Sequence, residues 1–195
     1  MSHHIYHTEA LIIGSIPKGE GDRLLYCYTR DHGLVLAHAR SIRESRSRLR
    51  YALQTFSHAH IDLIRGKYGW KLISATPVAS QRAVWRDDRK RHIVAGHMQL
   101  ARRLIQGEEA HGVLFDDLLL GYKFIHSLSD EESLRDAELL LAARLLSRLG
   151  YWGEDAQLAP ILSRSDYDAG DLIQLRPMRS AIVTRVNHAL HSSQL

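Results

Sequence analysis

The chain has 195 residues, of which 45% are hydrophobic and 25% charged, with 13 Gly and 4 Pro. These values permit a core of one large or two small domains and argue against disordered, collagen-like and low-complexity classes. The formal charge of +4 hides a split, because residues 1–103 carry 18 Lys+Arg against 8 Asp+Glu while residues 104–195 carry 8 against 14.

A lone cysteine, Cys27, excludes an internal disulfide and a thiolate zinc site, and it fits a reducing cytoplasm. No stretch of about 18 apolar residues occurs, and the N-terminus lacks the basic start and apolar run of an export signal. A cytoplasmic protein is therefore expected.

Up to about Ser80 the pattern is that of short strands separated by turns. Thr8 to Ser15 is a β-rich run ended by Pro17-Lys-Gly19-Glu-Gly21-Asp22, and Arg23 to Thr29 is a second, ended by Asp31-His32-Gly33. Alternation in the second strand places Tyr26 and Tyr28 on one face and Leu25, Cys27 and Thr29 on the other. Leu34 to Ala39 makes a third strand. A longer connection follows, in which Arg40, Arg43, Arg46, Arg48 and Arg50 face a single acid, Glu44. The fourth strand, about Thr55 to Ile64, alternates Ala59, Ile61 and Leu63 against His58, His60 and Asp62, and it closes at Arg65-Gly-Lys67-Tyr68-Gly69. Trp70 to Ala75 is the fifth.

Five short strands with a long third connection fit a small Greek-key barrel of the OB type better than an open sheet. Such barrels bind ligands on the face of strands two and three and on the loops after strands one and four. Here those loops hold Lys18 and Arg23, and Arg65, Lys67 and Tyr68. The five arginines of the long connection are the first candidates for phosphate contacts, since most have no local carboxylate to pair with. Lys18, Arg23, Arg65 and Lys67 come second. Full engagement of the five on a single strand predicts a slope of about −3.5 in log affinity against log salt. Tyr26, Tyr28, Tyr51, Tyr68 and Trp70 could stack on bases, with Tyr68 the first choice and Trp70 expected in the core.

After Ser80 the period becomes helical. Val94, Met98, Ala101 and Ile105 recur at three- and four-residue intervals in a segment that also carries Arg82, Arg86, Arg89, Lys90, Arg91, Arg102 and Arg103. This basic face could extend a DNA path or receive an acidic protein tail. A second helix, Val113 to Leu128, is strongly apolar. Ser129-Asp-Glu-Glu132 has the form of a capping box opening a third helix to Leu149, and two shorter helices follow, the last from Arg179 to His191. The expected fold class is thus α+β, with an OB-fold barrel over residues 1–80 and an all-α domain over residues 81–195.

Thr8-Glu-Ala-Leu-Ile-Ile-Gly14, Gly19-Glu-Gly-Asp-Arg-Leu-Leu25, Thr29-Arg-Asp-His-Gly-Leu-Val35, Ala39-Arg40 and Ser47-Arg-Leu-Arg50 with Leu53-Gln54 resemble, in order and spacing, the N-terminal domain of the bacterial RecO recombination mediators. Leu145-Leu-Ser-Arg-Leu-Gly-Tyr151 is similar to a stretch in the helical half of that family. Many relatives carry a four-cysteine zinc module after it. This chain has no cysteine there, so no metal or other cofactor is expected.

The resemblance implies a non-enzymatic role. It comprises binding single- and double-stranded DNA, annealing complementary strands, and assisting recombinase loading on DNA coated by single-strand-binding protein. It also implies a RecR-type partner and contact with the acidic C-terminal tail of the single-strand-binding protein. Two other readings remain at the level of sequence. One is a general single-stranded DNA- or RNA-binding OB protein; the other, weaker, is a metal-dependent hydrolase suggested by His58-Ala-His60-Ile-Asp62, whose closing histidine is replaced by Leu63. Cys27 lacks a persuasive acid and base partner, and no phosphate-binding glycine loop is present.

Overall fold

A computed structural model describes residues 4–42, 49–78 and 87–192, with only the backbone of Arg50, Tyr51 and Ser192. Arg43, Arg46, Arg48, Arg82 and Arg86, and the side chains of Arg50 and Tyr51, lie outside the described set. Two compact units emerge. One comprises Met1–Arg82 with Gln106–Phe115, and the other Ala83–Ile105 with Asp116–Leu195.

In the first unit five strands, β1 (Ile5–Lys18), β2 (Asp22–Thr29), β3 (Gly33–Ala39), β4 (His58–Gly66) and β5 (Gly69–Pro77), close into a barrel in the order β1-β2-β3-β5-β4. Every pairing is antiparallel except β3 with β5, which run parallel through Ala37↔Trp70 and His38↔Lys71. The OB-type barrel read from the strand spacing is therefore present. Strand alternation sends Ala10 and Ile12, Leu25 and Cys27, Val35 and Ala37, Ala59, Ile61 and Leu63, and Trp70 and Leu72 into one core. Burial pushes the Cys27 thiol up to about 12, which leaves it inert as a nucleophile.

β1 is longer than its apolar run suggests because it serves two neighbours. Its first half pairs with β4 and its second half with β2, and a register shift between Ile12 and Gly14 bends it from one to the other. The connection from β3 to β4 contains a single helical turn, α1 (Leu49–Ala52), and with it Ile42, Ala52 and Leu53 join the barrel core.

The second unit is helical. α2 (Asp88–Leu104) starts at Asp87, whose side chain accepts a hydrogen bond from the Lys90 amide. α3 (Gly112–Ser127) begins in the first unit and continues in the second. α4 (Glu131–Arg148) is capped by Asp130, which accepts from the Ser133 amide at 2.8 Å. The cap thus falls one residue after Ser129, because the aspartate carboxylate supplies a stronger acceptor to the open helix end. α5 (Ala159–Leu162), α6 (Ala169–Leu175), a 3-10 turn (Arg176–Met178) and α7 (Arg179–Ser192) complete the chain. The one-turn α5 is too short to leave a periodic signal.

The charges that interrupt the apolar helices meet inside this unit. Arg144, with no exposed surface, lies 3.7 Å from Asp117 and donates to Asp171 at 3.3 Å and to the Asp166 carbonyl at 2.5 Å. Its guanidinium lies 4.0 Å from the centroid of the Tyr167 ring, and the Tyr167 hydroxyl donates to Asp117. Burial raises the Asp117 carboxyl above its ordinary range, an effect opposed by Arg144 and Arg148. A Cβ at Gly121 would stand 2.4 Å from Leu141 Cδ2, so the lack of a side chain there lets α3 approach α4.

Candidate nucleic-acid interface

The hairpin between β1 and β2 and the end of β3 come together at one end of the barrel. Lys18 pairs with Asp22 and Arg23 with Ala39, which brings Lys18, Arg23 and Arg40 to neighbouring positions. Asp22 organises this corner. One carboxylate oxygen accepts from the Ser41 amide at 2.9 Å and the other lies 2.7 Å from His38 Nε2. The Ser41 hydrogen bond first, and His38 second, hold the Asp22 carboxyl below its ordinary value, so it stays ionised at neutral pH.

Ser41, at φ +50°, makes a turn just after Arg40, and Ile42 beyond it packs into the barrel core. Lys18 and Arg40 are exposed, and Arg23 is half-buried with Nη1 donating to Ser15 Oγ at 3.1 Å. Among the described residues no carboxylate lies within 4 Å of any of the three. Three cations thus stand at the point from which the arginine-rich connection departs.

Strand pairing places two rows of outward side chains beside them. Ile16, Leu24, His38 and Lys71 follow one another across β1, β2, β3 and β5, and Tyr26 lies beside Leu36 on β2 and β3. Ile16 and Leu36 are 42% and 41% exposed, and Tyr26 is half-buried. This is the strand-two and strand-three face on which OB barrels bind, and here it is apolar with a basic edge. Lys71 and Leu36 were not among the residues singled out from sequence. The outward alternation of Leu34, Leu36 and His38 carried part of the signal, but the parallel β3–β5 pairing that adds Lys71 is not encoded locally.

The other half of that face is covered. Gln106–Phe115 returns to the barrel, with the Leu34 amide donating to the Gly107 carbonyl at 3.1 Å. The Phe115 ring lies 6.1 Å from that of Tyr28 and 6.0 Å from that of His58, and Arg30 sits 4.6 Å above it. Tyr28 is consequently fully buried, with its hydroxyl reaching toward the His111 carbonyl. Tyr28 faces outward as alternation predicts, yet it cannot stack on a base. The residues that cover it lie some 80 positions downstream in sequence.

In the loop after β4, Tyr68 is 91% exposed and Lys67 lies 5.5 Å from its ring. Trp70 is core, 6% exposed, and its indole N–H donates to Glu108 at 2.9 Å. Arg65 pairs with the other Glu108 oxygen at 3.2 Å and lies 5.3 Å from the Trp70 ring. This loop stands toward the Leu34 end of β3, whereas Lys18, Arg23 and Arg40 stand at the Ala39 end. The exposed part of the face lies between them.

The polar side of β4 is taken up by pairs within the barrel. His58 Nε2 lies 3.1 Å from Glu9, His7 Nδ1 lies 2.6 Å from Asp62, and Ser74 also donates to Asp62. His58 is buried and His60 exposed, so the string does not converge on one point. Among the described residues no three His, Cys, Asp or Glu side chains gather as metal ligands would.

Residues 1–81 match the family described as Recombination protein O N terminal. A protein named DNA repair protein RecO from Heliobacterium modesticaldum is 32% identical over 150 residues, which is 77% of this chain and 53% of that protein. Two proteins of the same name from strains of Desulfitobacterium hafniense are 36% identical over 83 residues, 43% of this chain and 30% of theirs. The barrel is a RecO N-terminal domain, and the likeness to RecO proteins runs on into the helical half. The chain spans about half the length of the first of these relatives.

The RecO family match over residues 1–81 covers the cationic corner and the loop after β4, but not the strap of Gln106–Phe115 that covers Tyr28. In the helical half, the RecO-like stretch Leu145–Tyr151 forms the end of α4 and its exit, with the Tyr151 amide donating to the Leu146 carbonyl. The basic face of α2 divides into two parts. Arg89 pairs with Glu138 and Glu131, Arg91 with Asp88, and Lys90 donates to the His126 carbonyl. Arg102 and Arg103, with Gly96, Gln99 and Leu100, line a shallow open depression at the other end of the helix. No helix among the described residues is long and apolar enough to cross a membrane.

Proposed function

We propose that this chain binds DNA through the exposed half of the barrel face and acts in DNA repair and recombination as a mediator rather than as an enzyme. The observation that carries the reading is the corner formed by Lys18, Arg23 and Arg40, three cations with no carboxylate within 4 Å among the described residues, beside the apolar row of Tyr26 and Leu36. A backbone is drawn by the cations, and the bases it carries find apolar and aromatic surface. The match of residues 1–81 to the RecO N-terminal family supports the same reading.

Basic groups that neutralise two strands at once lower the repulsion between them, and annealing of complementary strands follows. Arg43, Arg46, Arg48 and Arg50 continue the charge from Arg40 and would lengthen the phosphate track. Tyr68 is the stacking residue at the far end. In the cell the chain would work in the cytoplasm at the nucleoid with a RecR-type partner. It would contact the acidic tail of single-strand-binding protein and assist recombinase loading. Arg102, Arg103 and Leu100 offer the charge and apolar contact that such a tail needs.

A strand-annealing assay with and without single-strand-binding protein tests this. The proposal expects faster annealing in both cases and association with the RecR-type partner. Binding of oligonucleotides without annealing in either case would leave a general nucleic-acid-binding protein and refute the mediator role.

A further inference from the structure

Glu108 stands at the loop after β4 and holds two partners. One oxygen accepts from Trp70 Nε1 at 2.9 Å and the other lies 3.2 Å from Arg65 Nη1. The tryptophan bond fixes where the carboxylate sits. The backbone around it is also pinned, because the Leu34 amide donates to the Gly107 carbonyl and the Glu109 backbone packs directly on Gly33. Yet the Glu108 side chain is 41% and that of Arg65 61% exposed, so the ion pair itself is open to water and to ions. At Lys18, Arg23 and Arg40 no carboxylate lies within 4 Å among the described residues, because Asp22, the acid of that corner, is held by Ser41 and His38 and acts on Arg40 only at longer range. The two basic edges of the same face therefore differ: only at the loop after β4 does a carboxylate contact the arginine directly.

We infer that Glu108 sets the affinity of this edge by occupying Arg65 as an internal substitute for a nucleic-acid phosphate. The inference rests on the DNA-binding reading above. When a phosphate arrives, Arg65 exchanges one anion for another, and the pair contributes far less than a free arginine would. The Trp70 bond keeps the carboxylate in place, so the competition is intramolecular and always present. Lys67 and Tyr68, which do not touch Glu108, engage the strand independently.

The test is a double-mutant cycle on the full chain, reading fluorescence anisotropy of labelled oligo-dT between 50 and 200 mM NaCl. Glu108→Gln keeps an acceptor for Trp70 Nε1 and removes only the charge. Exposed ion pairs are weak, so an affinity gain of roughly two- to five-fold is expected. The slope of log affinity against log salt should steepen by about 0.7 as one more phosphate contact is made. Arg65→Gln should lower affinity less in the wild-type background than in the Glu108→Gln background, where it should cancel the gain. Circular dichroism and tryptophan emission of each variant report whether the strap remains seated. Additive effects of the two substitutions, or an unchanged slope in a folded Glu108→Gln variant that binds, would overturn the role of Glu108 and leave DNA binding intact. Failure of the wild-type chain to bind at all would overturn both.

Discussion

A Cβ on Gly33 would lie 2.3 Å from the carbonyl oxygen of Glu109, so the backbones of the β2–β3 turn and of the strap meet with no room for a side chain between them. Gly33 also has φ +61°, the left-handed region that favours glycine. From this contact follow the seating of Glu108 against Trp70 and the burial of Tyr28.

Gly33→Ala should therefore act beyond its turn. The left-handed conformation alone costs about 1–2 kcal/mol, and the collision with Glu109 adds to it, so a loss of roughly 3 kcal/mol is expected. Urea denaturation measures the loss. Near-ultraviolet circular dichroism should report altered packing of Tyr28 and Trp70 at the same time.

The barrel was largely legible in the sequence, and the reason is physical. Alternation in β2, β3 and β4 sorts Leu25, Cys27, Val35, Ala59, Ile61 and Leu63 inward, and each turn announces itself with glycine or proline. The parallel contact of Ala37 with Trp70 and the return of Phe115 onto Tyr28 are not periodic in anything local. They arise from distant segments sharing one surface, and so neither Lys71 nor the covering of Tyr28 is legible in the local pattern. Arg65 was recognisable as basic, but its partner Glu108 lies 43 residues away in sequence.

The buried charges of the helical unit give a second expectation. Arg144→Met removes the cation facing Asp117 and Asp171 and leaves two carboxylates in an apolar interior. Breaking a buried pair in this way costs about 3–5 kcal/mol. Replacing Asp117 by Asn in the same chain should recover part of the loss, and thermal unfolding of both variants measures the difference.

His97 gives the unit a dependence on acid. Burial pushes its imidazole from the ordinary 6.5 down to about 4, beside the Tyr122 ring at 6.0 Å. Between these values the unfolded chain binds a proton that the folded chain refuses, so stability falls as pH drops from about 6.5 to 4. A loss on the order of 2 kcal/mol across that window is expected. His97→Phe should flatten this part of the profile. Below it, Asp22, Asp62 and Asp130, whose carboxyls are held under their ordinary value, add a further loss as they protonate.

Two tyrosines on the barrel should behave oppositely. Tyr68→Ala removes an exposed ring and should leave stability within about 0.5 kcal/mol while weakening oligo-dT binding by about 1–3 kcal/mol. Tyr28→Phe, under the strap, should leave oligo-dT affinity unchanged. Anisotropy titrations of the two variants, run beside urea denaturation, distinguish binding from folding effects.

The most direct measurement is the salt dependence of oligo-dT affinity for the wild-type chain and for Arg43→Ala/Arg46→Ala/Arg48→Ala. If the segment leaving Arg40 follows a nucleic-acid backbone, the variant loses affinity uniformly across sequences, and the slope becomes shallower by about 2, one step for each phosphate contact removed. An unchanged affinity and slope would contradict the account, because the guanidinium groups on which it depends would then be making no contact with DNA.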